Sequence, residues 1–262
     1  MNAVTSNDGT TIAFDRSGTG SPVIVVGGAL SDRSGGAPLA ALLAPHLTVL
    51  TYDRRGRGDS GDTLPYAVER EVEDLGALIA EAGGSASVFG HSSGAVLALE
   101  AAARGLAITK LALYEPPFFV DDSRTPMPSD YAARLAELAS SGRPGDAVEY
   151  FMATGPGVPE DAIAEMRQAP YWPAMEAAAH TLAYDGMVMG DTMSGSPAPI
   201  RRFASITVPT LVIDGGASPA WARNAVGAIV DVLPDAERRT LEGQTHAADP
   251  ETLAPVLEGF FA

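Results

Sequence analysis

Three places in the chain carry residue types that could do covalent chemistry. The first is Gly90-His91-Ser92-Ser93-Gly94, a serine hydroxyl set among small residues in a G-x-S-x-G pattern. A serine hydroxyl is a weak nucleophile and needs a neighbouring base to take its proton. The second is the set of four histidines that could serve, His46, His91, His180 and His246. The third is Gly27-Gly28-Ala29, where the main chain can come close to a developing oxyanion and offer it N–H groups. The chain has no cysteine, so disulfides, thiolate chemistry and cysteine-based metal sites drop out. No His, Asp or Glu cluster has ligand spacing either, so neither a metal nor another cofactor is expected. A pattern as loose as G-x-S-x-G arises by chance often enough that its setting must carry the reading.

That setting is an alternation of strands and helices. Residues 10–16, 22–26 and 47–52 read as strands, and residues 53–60 (Asp-Arg-Arg-Gly-Arg-Gly-Asp-Ser) as a loop. Apolar residues at Val72, Leu75, Leu78 and Ile79 have helical spacing, and Gly83-Gly84 stops that helix. Residues 87–89 form a short strand, 95–103 an Ala-rich helix and 108–114 a strand again. Repetition of this kind predicts a mostly parallel sheet covered by helices on both faces. Ser92 then falls on a sharp strand–turn–helix corner. The corner demands small flanking residues, projects the hydroxyl from the sheet and aims a helix N-terminus at negative charge.

The alternation stops at Pro116-Pro117 and resumes near Ile206. Residues 118–199 are irregular, rich in Pro and Gly, and hold seven of the eight methionines with Tyr171 and Trp172. They read as a helical cap inserted into a core made of residues 1–117 and 200–262. Methionine is adaptable packing material, so a deformable apolar roof over a pocket is one expectation, with Trp172 facing substrate; ordinary packing of a helical layer is the other. After the cap come a strand (207–214), a helix (219–232), a strand (238–241) and a final helix capped by Asp249 and Pro250. His246 lies between the last strand and the last helix, downstream of Ser92 as the base of a strand–turn–helix serine site should be. The expected oxyanion donors are the N–H groups of Ser93 and, in preference to Gly28, Ala29.

The corner, the Gly27-Gly28-Ala29 loop, the 53–60 loop and the terminal Gly-x-x-His segment together resemble the α/β-hydrolase superfamily, over the whole chain apart from the cap. The resemblance implies a Ser–acid–His triad. Its acid usually follows the penultimate strand in Gly-x-x-Asp-Pro, but here Gly215-Gly216-Ala217-Ser218-Pro219 puts a serine in that place. Some members, including certain haloalkane dehalogenases and the zearalenone-type lactonases, carry a glutamate at the end of the strand after the serine corner, and Glu115 matches that position. The lactonases are similar also in the G-x-S-S-G corner and in a cap tryptophan. Asp214 is the rival acid, and a chain with no acid at all stays open.

The implied reaction is hydrolysis of an ester or lactone of a hydrophobic small molecule, with Ser92, Glu115 and His246 as triad. The alternatives are a non-catalytic ligand-binding or sensor protein, a lyase and a cofactor-free oxidoreductase on the same fold. A net charge of −16 without a basic run makes nucleic acid and anionic membrane surfaces poor partners. With no evident secretion signal and no apolar stretch of spanning length, a cytoplasmic protein is the expectation. Oligomeric state is not legible.

Overall fold

The structure, a computed structural model, describes residues 1–262. Eight strands form one sheet: β1 (Asn2–Thr5), β2 (Thr11–Ser17), β3 (Ser21–Val26), β4 (Leu47–Tyr52), β5 (Ala86–His91), β6 (Ile108–Tyr114), β7 (Thr210–Gly215) and β8 (Ala236–Leu241). Their order is β1-β2-β4-β3-β5-β6-β7-β8; the β1–β2 and β2–β4 pairs at one edge are antiparallel and all other pairs are parallel. Strand β1 was not expected from sequence. Its four mostly exposed residues have no apolar pattern, and it exists because Asn2 to Thr5 pair with Phe14 to Thr11.

The parallel strands are apolar on both sides because both sides are covered. Along β3, Ile24 and Val26 pack into one core with α2 (Val68–Glu81), α3 (Ser93–Ala103) and α9 (Ala220–Val232). Val23 and Val25 pack into the other, with α1 (Ala37–Leu43) and α10 (Pro250–Phe261). Asp249 caps α10 as expected, accepting the N–H of Glu251 at 3.0 Å.

Between β6 and β7 lie α4 (Tyr131–Ser140), α5 (Pro144–Thr154), α6 (Glu160–Met166), α7 (Trp172–Ala177) and α8 (Leu182–Met189). These short helices pack on one another and continue the core of the α2–α3–α9 side through Leu135, Val148, Leu182 and Val188. No helix is long and apolar enough to cross a membrane.

Candidate active site

The corner after β5 forms because two positions tolerate only glycine. A Cβ on Gly90 would lie 2.6 Å from Ala95 Cα, and one on Gly94 would lie 2.3 Å from the Val26 carbonyl oxygen. Between them Ser92 adopts φ 56° and ψ −127° at the N-cap of α3. A non-glycine residue there carries strain of about 1–3 kcal/mol, held by its surroundings. The Ser92 N–H donates to the Tyr114 carbonyl at 3.0 Å, which ties the corner to the end of β6.

The residue that follows β6 is Glu115, also at positive φ (44°), with its N–H donating to the Ile213 carbonyl of β7. Its carboxylate is buried and turned toward the loop after β8. One oxygen, Oε2, lies 2.7 Å from Nδ1 of His246, and Oε1 accepts the Gly215 N–H at 2.8 Å. Burial opposes the charge on Glu115. The His246 ring, the nearby Ser218 hydroxyl and the Gly215 N–H outweigh it and hold the carboxyl below its ordinary range. An ionised carboxylate only accepts, so Nδ1 of His246 carries a proton toward it, the tautomer that in a neutral ring leaves Nε2 as the nitrogen with the lone pair.

Asp214 takes no part in this pair. It is fully buried on β7 and held by Arg238 at 3.0 and 2.8 Å and by Thr240 at 2.9 Å. Ser218, at the usual acid position, is buried with its Oγ without a hydrogen bond of normal geometry. Of the two carboxylates considered from sequence, Glu115 is the one brought to His246.

Ser92, Ser93, Glu115, His246 and Ala29 line one cavity of about 400 Å³. Ser92 and His246 both line it, without a hydrogen bond between their side chains; free enzymes often show such a loose arrangement before substrate tightens it. The Ala29 N–H also makes no hydrogen bond within the protein. Its approach depends on Gly28, where a Cβ would lie 3.0 Å from Ser92 Cβ.

The remaining wall is mostly apolar, with Phe119, Met127, Phe151, Met189, Met193 and Trp221 its large side chains beside Asp185. Three of the seven methionines singled out by sequence therefore reach the cavity. Trp172, expected there, does not. It is buried at the start of α7 in the core of the inserted segment, and its Nε1–H donates to Glu176 of the same helix at 2.9 Å. Trp221 of α9 occupies the wall instead, edge-on to Phe119, and the Arg124 guanidinium lies over both rings.

A profile of the alpha/beta hydrolase family matches residues 23–256. The chain belongs to that family. An alpha/beta hydrolase from Sphaerobacter thermophilus DSM 20745 is 62% identical over the full length of both chains, with a TM-score of 0.93. An esterase from Exiguobacterium antarcticum is 18% identical (99% of this chain, 98% of the other, TM-score 0.75). A thermophilic esterase from Thermogutta terrifontis is 22% identical (98% and 95%, TM-score 0.71). At that distance the two esterases speak for the fold alone. No curated protein matches.

Two parts of this alpha/beta hydrolase's site have roles that the sequence did not assign. His91 places Nε2 at 2.9 Å from the His246 carbonyl oxygen, so Nε2 carries the proton and steadies the loop holding His246. Burial, then the neighbouring His246 ring, push the His91 pKa down to about 4. The second part is a buried cluster of Arg54, Arg57, Glu71 and Asp185 beside Ser93. Its sequence signal is the arginine-rich 53–60 loop in an acidic chain; its partner Asp185, 131 positions from Arg54, gives none.

Proposed function

We propose that this alpha/beta hydrolase is a carboxylic ester hydrolase that cleaves esters or lactones of hydrophobic small molecules through an acyl-enzyme on Ser92. The observation that carries the reading is the Glu115–His246 pair, 2.7 Å apart at the wall of the cavity that Ser92 also lines. His246 Nε2 takes the Ser92 proton as Oγ attacks the substrate carbonyl, and Glu115 stabilises the imidazolium that forms. The Ala29 and Ser93 N–H groups hold the oxyanion. His246 next protonates the leaving alkoxide, and water, deprotonated by the same ring, releases the acyl group.

The cavity wall supports an uncharged, apolar substrate. Asp185, its other carboxylate, is already paired with Arg54 and Arg57, and the large side chains of the wall are mostly aromatic or thioether. Residues 118–199 serve in this reading as the cap, contributing Phe119, Met127, Phe151, Met189 and Met193. Glu115 offers His246 the carboxylate that Ser218 lacks, which supports a catalytic over a non-catalytic reading.

The test is a panel of p-nitrophenyl esters of graded chain length and macrolactones, run on the native protein and Ser92→Ala, with product identified by mass. Hydrolysis favouring apolar acyl chains, lost by up to about 10⁶-fold in Ser92→Ala, is expected. Near-normal hydrolysis by pure Ser92→Ala refutes the mechanism, and products of elimination or oxidation refute the reaction class.

A further inference from the structure

We infer that Arg57, held by Asp185 of α8, is the positioning residue that turns the Gly28–Ala29 peptide so that its N–H faces the reacting carbonyl. The inference rests on the acyl-enzyme reading above and adds to it the device that builds the oxyanion hole. A trans peptide points its C=O and its N–H in opposite directions. The Gly28 carbonyl accepts Arg57 Nη1 at 2.6 Å and the Ser31 hydroxyl at 2.7 Å, and neither of these residues lines the cavity. The Ala29 N–H is thereby aimed back toward the cavity that Ala29 lines.

Arg57 is itself fixed. Its Nη2 lies 2.7 Å from Asp185 Oδ2, and the side chain is buried. The other oxygen of Asp185 accepts the Ser93 hydroxyl at 2.7 Å and Arg54 Nη1 at 2.7 Å. Arg54 closes the cluster by a two-pronged bond to Glu71 at 2.6 and 2.7 Å. Both residues proposed to hold the oxyanion, Ala29 and Ser93, are thus tied to one carboxylate contributed by the inserted helices.

Two arginines and two carboxylates removed from water are costly to fold, and their worth lies in geometry rather than net stability. Preorganised donors stabilise the oxyanion because they need not reorient during the reaction. A slack Gly28–Ala29 peptide would still bind substrate, since the apolar wall does that, but would lose part of the transition-state stabilisation.

The experiment compares Arg57→Met, Arg57→Lys and Asp185→Asn with the native enzyme and with Arg55→Met. Arg55 is a neighbouring buried arginine whose partners are Asp74 and Asp8, away from the cavity, so it controls for loss of a buried ion pair. The readouts are kcat and KM on a p-nitrophenyl ester, Tm, and inhibition by an alkyl boronic acid, whose serine adduct places a tetrahedral oxygen in the hole. Arg57→Met is expected to lower kcat about 10- to 100-fold, less than the 10²–10³ of deleting a donor outright. KM should stay within about threefold and boronate affinity should fall in step with kcat/KM.

Arg57→Lys, which keeps one donor for the Gly28 carbonyl, should recover part of the rate. Asp185→Asn turns an amide N–H toward Arg57 or Ser93 and should share the kcat defect; it and Arg57→Lys carry the test if Arg57→Met does not fold. Arg55→Met should lower Tm and leave kcat alone. Native kcat in Arg57→Met, or a kcat loss matched by Arg55→Met with boronate affinity unchanged, overturns the inference. Activity persisting in Ser92→Ala would instead overturn the acyl-enzyme reading, whatever Arg57 does.

Discussion

Replacing Glu115 by Gln changes one atom and should nearly abolish turnover, for a reason visible in its two hydrogen bonds. Oε1 accepts the Gly215 N–H and Oε2 accepts the His246 Nδ1–H. In the amide only one atom accepts. Oriented with its oxygen on Gly215, the NH₂ group faces Nδ1 and donates to it, which forces the ring proton onto Nε2, the nitrogen that acts as base in the proposed mechanism. The flipped amide meets Gly215 donor to donor in a buried site, at a cost of about 1–3 kcal/mol. A wrong tautomer of this kind lowers kcat about 10⁴-fold in the serine-protease example, equivalent to about 5.5 kcal/mol of barrier.

Steady-state kinetics on a p-nitrophenyl ester, with Tm and circular dichroism to show an intact fold, measures it. The expected result is a folded protein with KM little changed and kcat lower by about three to four decades. Asp214→Asn, which loosens only the Arg238 and Thr240 contacts, should cost about 1–3 kcal/mol of stability and change kcat by less than about threefold. A Glu115→Gln variant keeping more than about a tenth of native kcat, or an inactive folded Asp214→Asn, refutes the assignment of the acid.

His91 links stability to pH. Its folded pKa of about 4 lies below the ordinary 6.5, so between those values the unfolded chain holds a proton that the folded one does not. Stability should therefore fall as pH drops from about 6.5 to 4, by at most about 3 kcal/mol from this group. Urea unfolding across that range should be flatter for His91→Gln, and superimposable native and variant curves would contradict the reasoning. For the tryptophans, Trp172→Ala should cost about 3–5 kcal/mol of stability with KM unchanged, because it is a buried anchor. Trp221→Ala should raise KM for bulky apolar esters with a smaller loss of Tm; the reverse pattern in the two variants would refute their placement.

The corner was legible because its demands are local. Gly90 and Gly94 are dictated by contacts of a few residues' separation and by one adjacent strand, so strand, turn and helix can be recognised together. Glu115 was legible only as one of two carboxylates. What separates it from Asp214 is the side of its strand end each faces, and the partner that claims Asp214 is Arg238 on the next strand. Trp172 could not be placed because aromatic residues of a pocket and of a core look alike in sequence; its Glu176 partner follows only once α7 forms. The Arg57–Asp185 pair spans 128 positions, and neither residue has a local pattern that names the other. Strand β1 depends wholly on its neighbour β2.

The central claim is a covalent acyl-enzyme on Ser92. Rapid mixing with a slowly deacylated p-nitrophenyl ester, followed by acid quench, intact-mass measurement and peptide mapping, tests it directly. The account predicts a burst of p-nitrophenol approaching one per protein molecule and an acyl adduct on the peptide containing Ser92, absent from Ser92→Ala and formed far more slowly in Glu115→Gln. Steady hydrolysis with neither burst nor adduct when deacylation is shown to be limiting, or an adduct mapped to another residue, would contradict it.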